Sequence, residues 1–374
     1  MRIAQLANFY GPRSGGLRTA LHALGRGYVD AGDVVLLVVP GDEDRVHDAP
    51  HGRVVTLHSP LVPGTGGYRA ITRLGAVADV LHEFRPDALE VSDRTTLAGF
   101  GTWARERGVG AAFVAHERVD GVLASALHGA AAGTVDRVAR AHAARIAERF
   151  DTIVATTAYA GAELAAAGAR VRTVPLGVDL DRFHPRHADA AIRRRHAPDD
   201  VPLVVLASRL SREKRPDLAI GAMRVLRERG RPVRLVVAGA GPLARPLRRS
   251  ASGLPVELLG FVSDRDAFAS LLASADVVVA PGPIETFGLA ALEALAAGTP
   301  VVVNAASALP EVVGDAGIAA AGTPEAFADA IEAMLARDGR SRRLDARARA
   351  VMFPWSASVA RMRAVHAGSL AVAR

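Results

Sequence analysis

Short, almost continuous apolar runs recur along the chain at residues 3–7, 34–39, 54–57, 88–91, 111–115, 152–155 and 172–174. A strand buried on both faces reads this way because neither side of its pleat meets water, whereas a half-exposed strand alternates. The pattern restarts at 203–206, 233–238, 256–259, 277–280 and 301–304, with helical periods such as 215–228 and 289–297 between the strands. Strands and helices in alternation predict parallel sheets, and the restart predicts two of them, each doubly wound. Residues 181–200 are rich in Arg, His, Asp and Pro, lack an apolar period and read as a connector. The expected fold class is therefore α/β, with one Rossmann-like domain over residues 1–185, a second over 186–355 and a terminal helix over 356–374. Pattern alone leaves open whether that helix packs on its own domain or returns to the first.

Composition narrows the function classes. A chain of 374 residues, half of them apolar, can bury two cores of ordinary size. It has no cysteine, which excludes disulfides and thiolate metal sites and fits a reducing, cytoplasmic setting. The first residues, Met1-Arg2-Ile3-Ala4-Gln5, enter a strand at once and lack the pattern of a signal peptide. The longest apolar region, 287–308, is broken by Glu293, Gly298, Pro300 and Asn304, so it reads as a helix and a strand and not as a bilayer span. A cytoplasmic protein is expected, with peripheral contact at the inner face of a membrane left open. The formal charge of +7 comes almost wholly from arginines spread along the chain without aromatic interleaving, which points away from nucleic acid and toward phosphorylated small molecules.

Three segments carry candidate chemistry. Gly11-Pro12-Arg13-Ser14-Gly15-Gly16 links the first strand to a helix, where backbone amides and the helix dipole favour an anion. A strand-to-helix turn also uses glycine for geometry alone, and neither this spacing nor Gly239-Ala240-Gly241 fits the dinucleotide fingerprint. Ser208-Arg209-Leu210-Ser211-Arg212-Glu213-Lys214 follows the first strand of the second half, so Arg209 and Lys214 stand where an open sheet takes its ligand and could clamp a diphosphate; a solvated charged loop is the plain alternative. The third segment runs from Pro281 to Glu293. It places Glu285 in a loop, the amides of Phe287, Gly288 and Leu289 at a helix start, and Glu293 about one turn inside. At about 1.5 Å of rise per residue, Glu293 lies on the order of 6–10 Å beyond the loop, the span from sugar to ribose across a diphosphate. A glycosidase pair would need both carboxyls on one bond, which a loop acid and a helix acid around an anion site do not offer. Structural roles for both acids remain the alternative.

These residues resemble the retaining glycosyltransferases of family four, which adopt the GT-B fold of two Rossmann-like domains facing a central cleft. Glu285 and Glu293 match the family's E-x7-E motif, within E-T-F-G-L-A-A-L-E-A-L-A-A-G-T-P-V-V. The Gly15-Gly16 turn, Val174-Pro175-Leu176-Gly177-Val178-Asp179, the pair Arg209 and Lys214, and Ala238-Gly239-Ala240-Gly241-Pro242 agree in order and spacing from residue 2 to about 355. The resemblance implies that Arg209 and Lys214 neutralise the departing diphosphate, that Gly16, Gly288 and Leu289 add backbone donors, that Glu285 holds hydroxyls of the transferred sugar, and that Glu293 holds the ribose. It further implies that His116 is the active-site histidine near the sugar, although a strand-end histidine is an ordinary feature. The implied reaction is front-face transfer of a hexose with retention, assisted by the leaving phosphate and needing no protein nucleophile. With cations supplying the charge, no metal or other cofactor is expected.

The nucleobase is expected near Gly260-Phe261-Val262-Ser263-Asp264, where Asp264 could accept two hydrogen bonds from guanine; this favours a GDP sugar, GDP-mannose in particular, although Asp264 could equally cap the following helix. The resemblance implies a lipid, polyprenol or carbohydrate acceptor on the first domain, where Arg13, Arg18, Arg69 and Arg94 are available to an anionic group or serve as plain surface charge. Arg137, Arg140, Arg145 and Arg149 on a helical pattern over 135–150 suit either anionic lipid or a solvated helix face, the latter favoured because its apolar side is mostly alanine. A nucleotide-sugar epimerase and a non-catalytic nucleotide-binding protein are the competing readings.

Overall fold

The computed structural model describes residues 1–11, 15–63, 65, 67–116, 132–198 and 201–373. The chain forms two compact units, one comprising Met1–Gly177 with Trp355–Arg374 and the other Val178–Pro354. In unit 1 the strands are β1 (Arg2–Leu6), β2 (Val34–Gly41), β3 (Arg45–Ala49), β4 (Gly52–His58), β5 (Ala88–Val91), β6 (Gly110–Ala115), β7 (Thr152–Ala155) and β8 (Val171–Thr173). They join in the order β3-β4-β2-β1-β5-β6-β7-β8, parallel except where β3 returns antiparallel on β4. Residues of β1, β2, β5 and β7 are buried almost throughout, which is why those runs are apolar without alternation.

Unit 2 holds β9 (Leu203–Ala207), β10 (Arg234–Ala238), β11 (Val256–Gly260), β12 (Val277–Ala280), β13 (Val301–Asn304) and β14 (Gly317–Ala320), in the order β11-β10-β9-β12-β13-β14. Counted within the unit this is the 3-2-1-4-5-6 order of the doubly wound dinucleotide-binding sheet, and every recorded pairing is parallel. Both units are thus the Rossmann-like α/β sheets that the apolar pattern predicts. In each, the chain reverses direction across the sheet beside the first strand, between β1 and β5 in unit 1 and between β9 and β12 in unit 2.

The helix Trp355–Ala373 belongs to unit 1. Ser358 Oγ donates to Pro175 O at 2.8 Å, Arg363 Nε to Asp33 at 2.7 Å, and the fully buried His366 meets Glu90 at 2.7 Å, while Tyr28 OH donates to the same carboxylate at 2.6 Å. Gly177 lies so close to Trp355 that a Cβ there would sit 2.5 Å from its backbone. The segment after Gly177 joins unit 2 instead: Phe183 is buried against Phe268, and Arg347 donates to Phe183 O and Leu180 O.

Arginine has a structural use here that composition does not disclose. On the helix Gly339–Ala350, Arg343 donates to the carbonyls of Ala273, Ala275 and Gly298, Arg347 to that of Ala296, and Arg349 to those of Glu311 and Val312. These are carbonyls at helix ends that have no partner within their own helix, so part of the cationic excess satisfies backbone and is not offered to phosphates.

Candidate active site

In unit 2 the switch point is built from the turns that leave β9 and β12. After β9 the chain makes a tight turn, with a single 3-10 turn at Arg212–Lys214 and Arg215 in the left-handed region at φ 45°, before Pro216 opens the helix Pro216–Glu228. The turn is fixed from outside: Leu210 N donates to Ala240 O at 2.9 Å and Leu243 N to Leu210 O at 3.0 Å. A Cβ on Gly239 would lie 1.8 Å from Ser208 O, and one on Gly241 2.4 Å from Leu210 O, so these two glycines permit backbone to close on backbone.

The β12 turn closes on the same place. A Cβ on Gly282 would sit 3.2 Å from Glu213 O and from Lys214 Cα, and Lys214 Nζ donates to Glu285 Oε1 at 2.5 Å. Asn304 Nδ2 donates to Pro281 O at 2.8 Å and Ala308 N to Glu285 O at 2.9 Å, which anchors the loop carrying the acid. Beside it, Arg209 Nη2 reaches Glu213 Oε1 at 2.8 Å and Ser211 Oγ reaches the same oxygen at 2.5 Å. Burial pushes the Glu213 carboxyl upward, but the Ser211 hydroxyl, a backbone N–H, Arg209 and Lys214 together hold it below its usual range. Lys214 is the only lysine in the chain; every other side chain among the 46 lysines and arginines is arginine. That singularity is legible in the sequence as a simple count.

Gly288 caps the helix Leu289–Ala296 at φ 77°, with Leu309 Cδ2 only 2.2 Å from where a Cβ would be, so both backbone and space demand glycine. The first amides of that helix have no partner within it. Phe287 is buried with its ring against Phe353, so only its backbone faces the turn. One turn on, Glu293 is buried and takes a hydrogen bond from Arg265 Nη2 at 2.5 Å. Burial raises the Glu293 pKa; the charge of Arg265 and its hydrogen bond work in the opposite direction. Arg265 itself stacks over Phe183 at 5.0 Å and Phe268 at 5.4 Å. Nothing in the spacing signals this arginine, because it meets Glu293 from a different element. Asp264 caps the helix Arg265–Ser274, its Oδ1 accepting from Asp266 N at 2.9 Å and Ala267 N at 3.1 Å. In the same loop Val262 is half-buried and Phe261 is 57% exposed.

In unit 1 the equivalent reversal joins the loops after β1 and β5: Asn8 Nδ2 donates to Thr96 Oγ1 at 2.8 Å. Gly15 has φ −75°, Gly16 is helical, and among the described residues no heavy atom lies within 4 Å of a Cβ on either, so neither strain nor packing by those residues explains these glycines. Arg13 lies outside the described residues. Arg18 is half-buried near Tyr10 and His22: burial raises the Tyr10 pKa against the charge of Arg18, while burial, His51 and Arg18 together bring His22 down to about 4. Arg69 Nη1 donates to Ser59 O at 2.6 Å. Arg94, offered by the sequence as an anion contact, is half-buried, forms an ion pair with Glu163 and stacks over Phe113. His116 follows β6; burial brings its imidazole down to about 4, opposed by the Glu90 carboxylate and aided by Arg94, so it is neutral at physiological pH. On the helix Ala132–Arg149, Ala139, Ala143 and Ile146 are buried while Arg137, Arg140 and Arg145 are exposed and Arg149 half-buried.

Among the described residues, no group of three or more His, Asp or Glu side chains could hold a metal ion, and no helix is long and apolar enough to cross a membrane.

Two protein families match the chain. The family described as Glycosyl transferases group 1 matches residues 188–351, and the one described as Glycosyltransferase Family 4 matches residues 14–182. The chain is 49% identical to a GDP-mannose-dependent alpha-(1-6)-phosphatidylinositol dimannoside mannosyltransferase of Mycobacterium tuberculosis, over 100% of this chain and 97% of that one. It is 30% identical to D-inositol 3-phosphate glycosyltransferase 1 of Catenulispora acidiphila, over 85% and 81% of the two chains. Among solved structures, sucrose-phosphate synthase of Thermosynechococcus elongatus superposes with a TM-score of 0.81 at 22% identity, covering 99% of each chain, which shows a shared fold.

Proposed function

We propose that this chain, which belongs to glycosyltransferase family 4 and is a glycosyltransferase using a nucleotide-sugar donor, transfers mannose from GDP-mannose to a mannosylated phosphatidylinositol lipid with retention of configuration. Identity of 49% over the whole chain to an enzyme so named supports donor and acceptor class together. The structural observation that carries the donor half is the Lys214–Glu285 contact at the unit 2 switch point, where open α/β sheets take their ligands.

On this reading Glu213 and Glu285 hold Arg209 and Lys214 in place before the donor arrives. The donor diphosphate then takes over those cations, and Glu285 turns to the hydroxyls of the sugar. As the bond from the anomeric carbon to phosphate oxygen breaks, charge grows on the diphosphate, where Lys214, Arg209 and the amides of Gly288 and Leu289 stabilise it. The acceptor hydroxyl attacks from the same face, its proton passing to the departing phosphate oxygen. Glu293 accepts from the ribose diol. Val262 and Asp264 face the base, with Asp264 Oδ2 available because both cap bonds fall on Oδ1. His116, neutral, serves a hydroxyl of the transferred sugar as a hydrogen-bond partner. The unexplained glycines Gly15 and Gly16 leave backbone open to an anionic ligand, and Arg18, Arg69 and Arg13 serve the acceptor; Arg94 is assigned no such contact. A protein acting on such a lipid works at the inner face of the membrane as a peripheral enzyme. Because resident cations supply the charge, transfer is expected to survive EDTA.

The test is incubation with GDP-, UDP-, ADP- and dTDP-sugars and a detergent-solubilised phosphatidylinositol mannoside, followed by product analysis. Mannosylated lipid from GDP-mannose alone is expected. A new sugar epimer without acceptor, donor binding without turnover, or equal use of every base would overturn this reading.

A further inference from the structure

We propose that an arginine-lined depression on unit 2, formed by Arg245, Arg248, Arg249 and Ser252, is the surface on which the protein docks to an anionic membrane; the proposal rests on the lipid-acceptor reading above. The depression is shallow, about 580 Å³ in volume, and all four side chains are exposed. Three of them sit on the short helix Ala244–Ser250, which Leu247 and Ala251 anchor to the core so that the arginines face outward.

The local sequence isolates these charges. Residues 229–256 contain six arginines and no aspartate or glutamate. Two of the six are already matched, Arg229 with Asp329 and Glu332, and Arg231 with Glu332. The side chains of Arg245, Arg248 and Arg249 have no ion-pair or hydrogen-bond partner among the described residues. Two more cations stand at the rim, Arg224 donating to Ser250 O and Arg227 to Gly253 O, which fixes the edge of the depression while adding to its field.

This arrangement fits a plane of lipid phosphates. Guanidinium forks bind phosphate in a bidentate manner and keep their charge at any pH, and the lining offers no large apolar side chain to insert, so attachment is electrostatic. The other basic face, on the helix Ala132–Arg149, is a weaker candidate: Arg140 is already engaged, and the exposed Glu148 interrupts the charge. Each cation near an anionic leaflet contributes about a fivefold gain in binding, so three contribute about a hundredfold, and salt screens the effect.

The experiment is flotation of the full chain with phosphatidylcholine vesicles, with and without phosphatidylglycerol, at low and high salt. Wild type is expected to bind only the anionic vesicles and to leave them in salt. The triple variant Arg245→Gln, Arg248→Gln, Arg249→Gln is expected to bind about a hundredfold more weakly, with unchanged thermal unfolding and unchanged transfer to a detergent-solubilised acceptor. That last assay separates failure of docking from failure of the transferase reading. The proposal is overturned if wild type ignores anionic vesicles, or if the triple variant binds like wild type. It is equally overturned if Arg137→Gln with Arg145→Gln abolishes binding in its place, or if inorganic polyphosphate or an oligonucleotide binds the patch in preference to vesicles.

Discussion

Glu293 is buried in a setting that favours its neutral form, and Arg265 opposes that at 2.5 Å. On the proposed reading a neutral carboxyl would be a poor acceptor for the ribose diol, and Arg265 would be the positioning residue that favours the charged acid. Arg265→Gln is expected to raise KM for the donor about tenfold, the order of one lost charged hydrogen bond, with kcat little changed. The loss should deepen as pH falls, because the Glu293 pKa, already raised, rises further without its cation. Arg265→Lys should restore part of the pH range; a variant whose KM matches wild type at every pH would show that Arg265 only packs on Phe183 and Phe268. His116 behaves oppositely. With its pKa at about 4, it carries no charge across the neutral range, so activity between about pH 5.5 and 8 should show no step from an imidazole. His116→Ala is expected to lower kcat about 2- to 10-fold, as for loss of the neutral hydrogen bond proposed at the reacting sugar, without changing donor Kd.

Glycines separate structural from functional demand at the level of the turn. Gly288→Ala places a methyl on Leu309 in a left-handed backbone and should destabilise unit 2 by about 1–3 kcal/mol, read by urea unfolding. Gly15→Ala and Gly16→Ala meet no neighbour among the described residues, so stability should be unchanged or rise by up to about 1 kcal/mol, while turnover falls if an anionic ligand approaches that backbone. Unchanged turnover would return these glycines to a purely local role. The same contrast shows what was legible beforehand. Buried parallel strands announce themselves by unbroken apolar runs, whereas β3 is an exposed Arg-Val-His-Asp-Ala hairpin arm with little apolar content, and β14 is a short Gly-Ile-Ala-Ala whose glycine and alanines carry little strand preference. The positions of Lys214, Glu285 and Glu293 follow from order along the chain. Arg265 and the Arg94–Glu163 pair do not, because their partners lie 28 and 69 residues away with no periodic relation.

Each sheet reverses beside its first strand, and in unit 2 the turns at that reversal carry the Lys214–Glu285 contact. The arginine excess divides into carbonyl-binding side chains inside unit 2, partnered surface pairs, and the unmatched group at Arg245, Arg248 and Arg249, so net charge is a poor guide to any one site. Against that background a single lysine is informative: arginine fills every other cationic position, and on the proposed reading the ammonium stands where a compact charge passes from a carboxylate to a phosphate. The most direct measurement is kcat/KM of Lys214→Arg against wild type with GDP-mannose and lipid acceptor, alongside thermal unfolding. The partly exposed pair is worth at most about 1 kcal/mol to stability, so unfolding should scarcely move while kcat/KM falls by about 100-fold or more. An arginine variant that transfers at a near-wild-type rate would contradict the assignment of Lys214 to the leaving diphosphate.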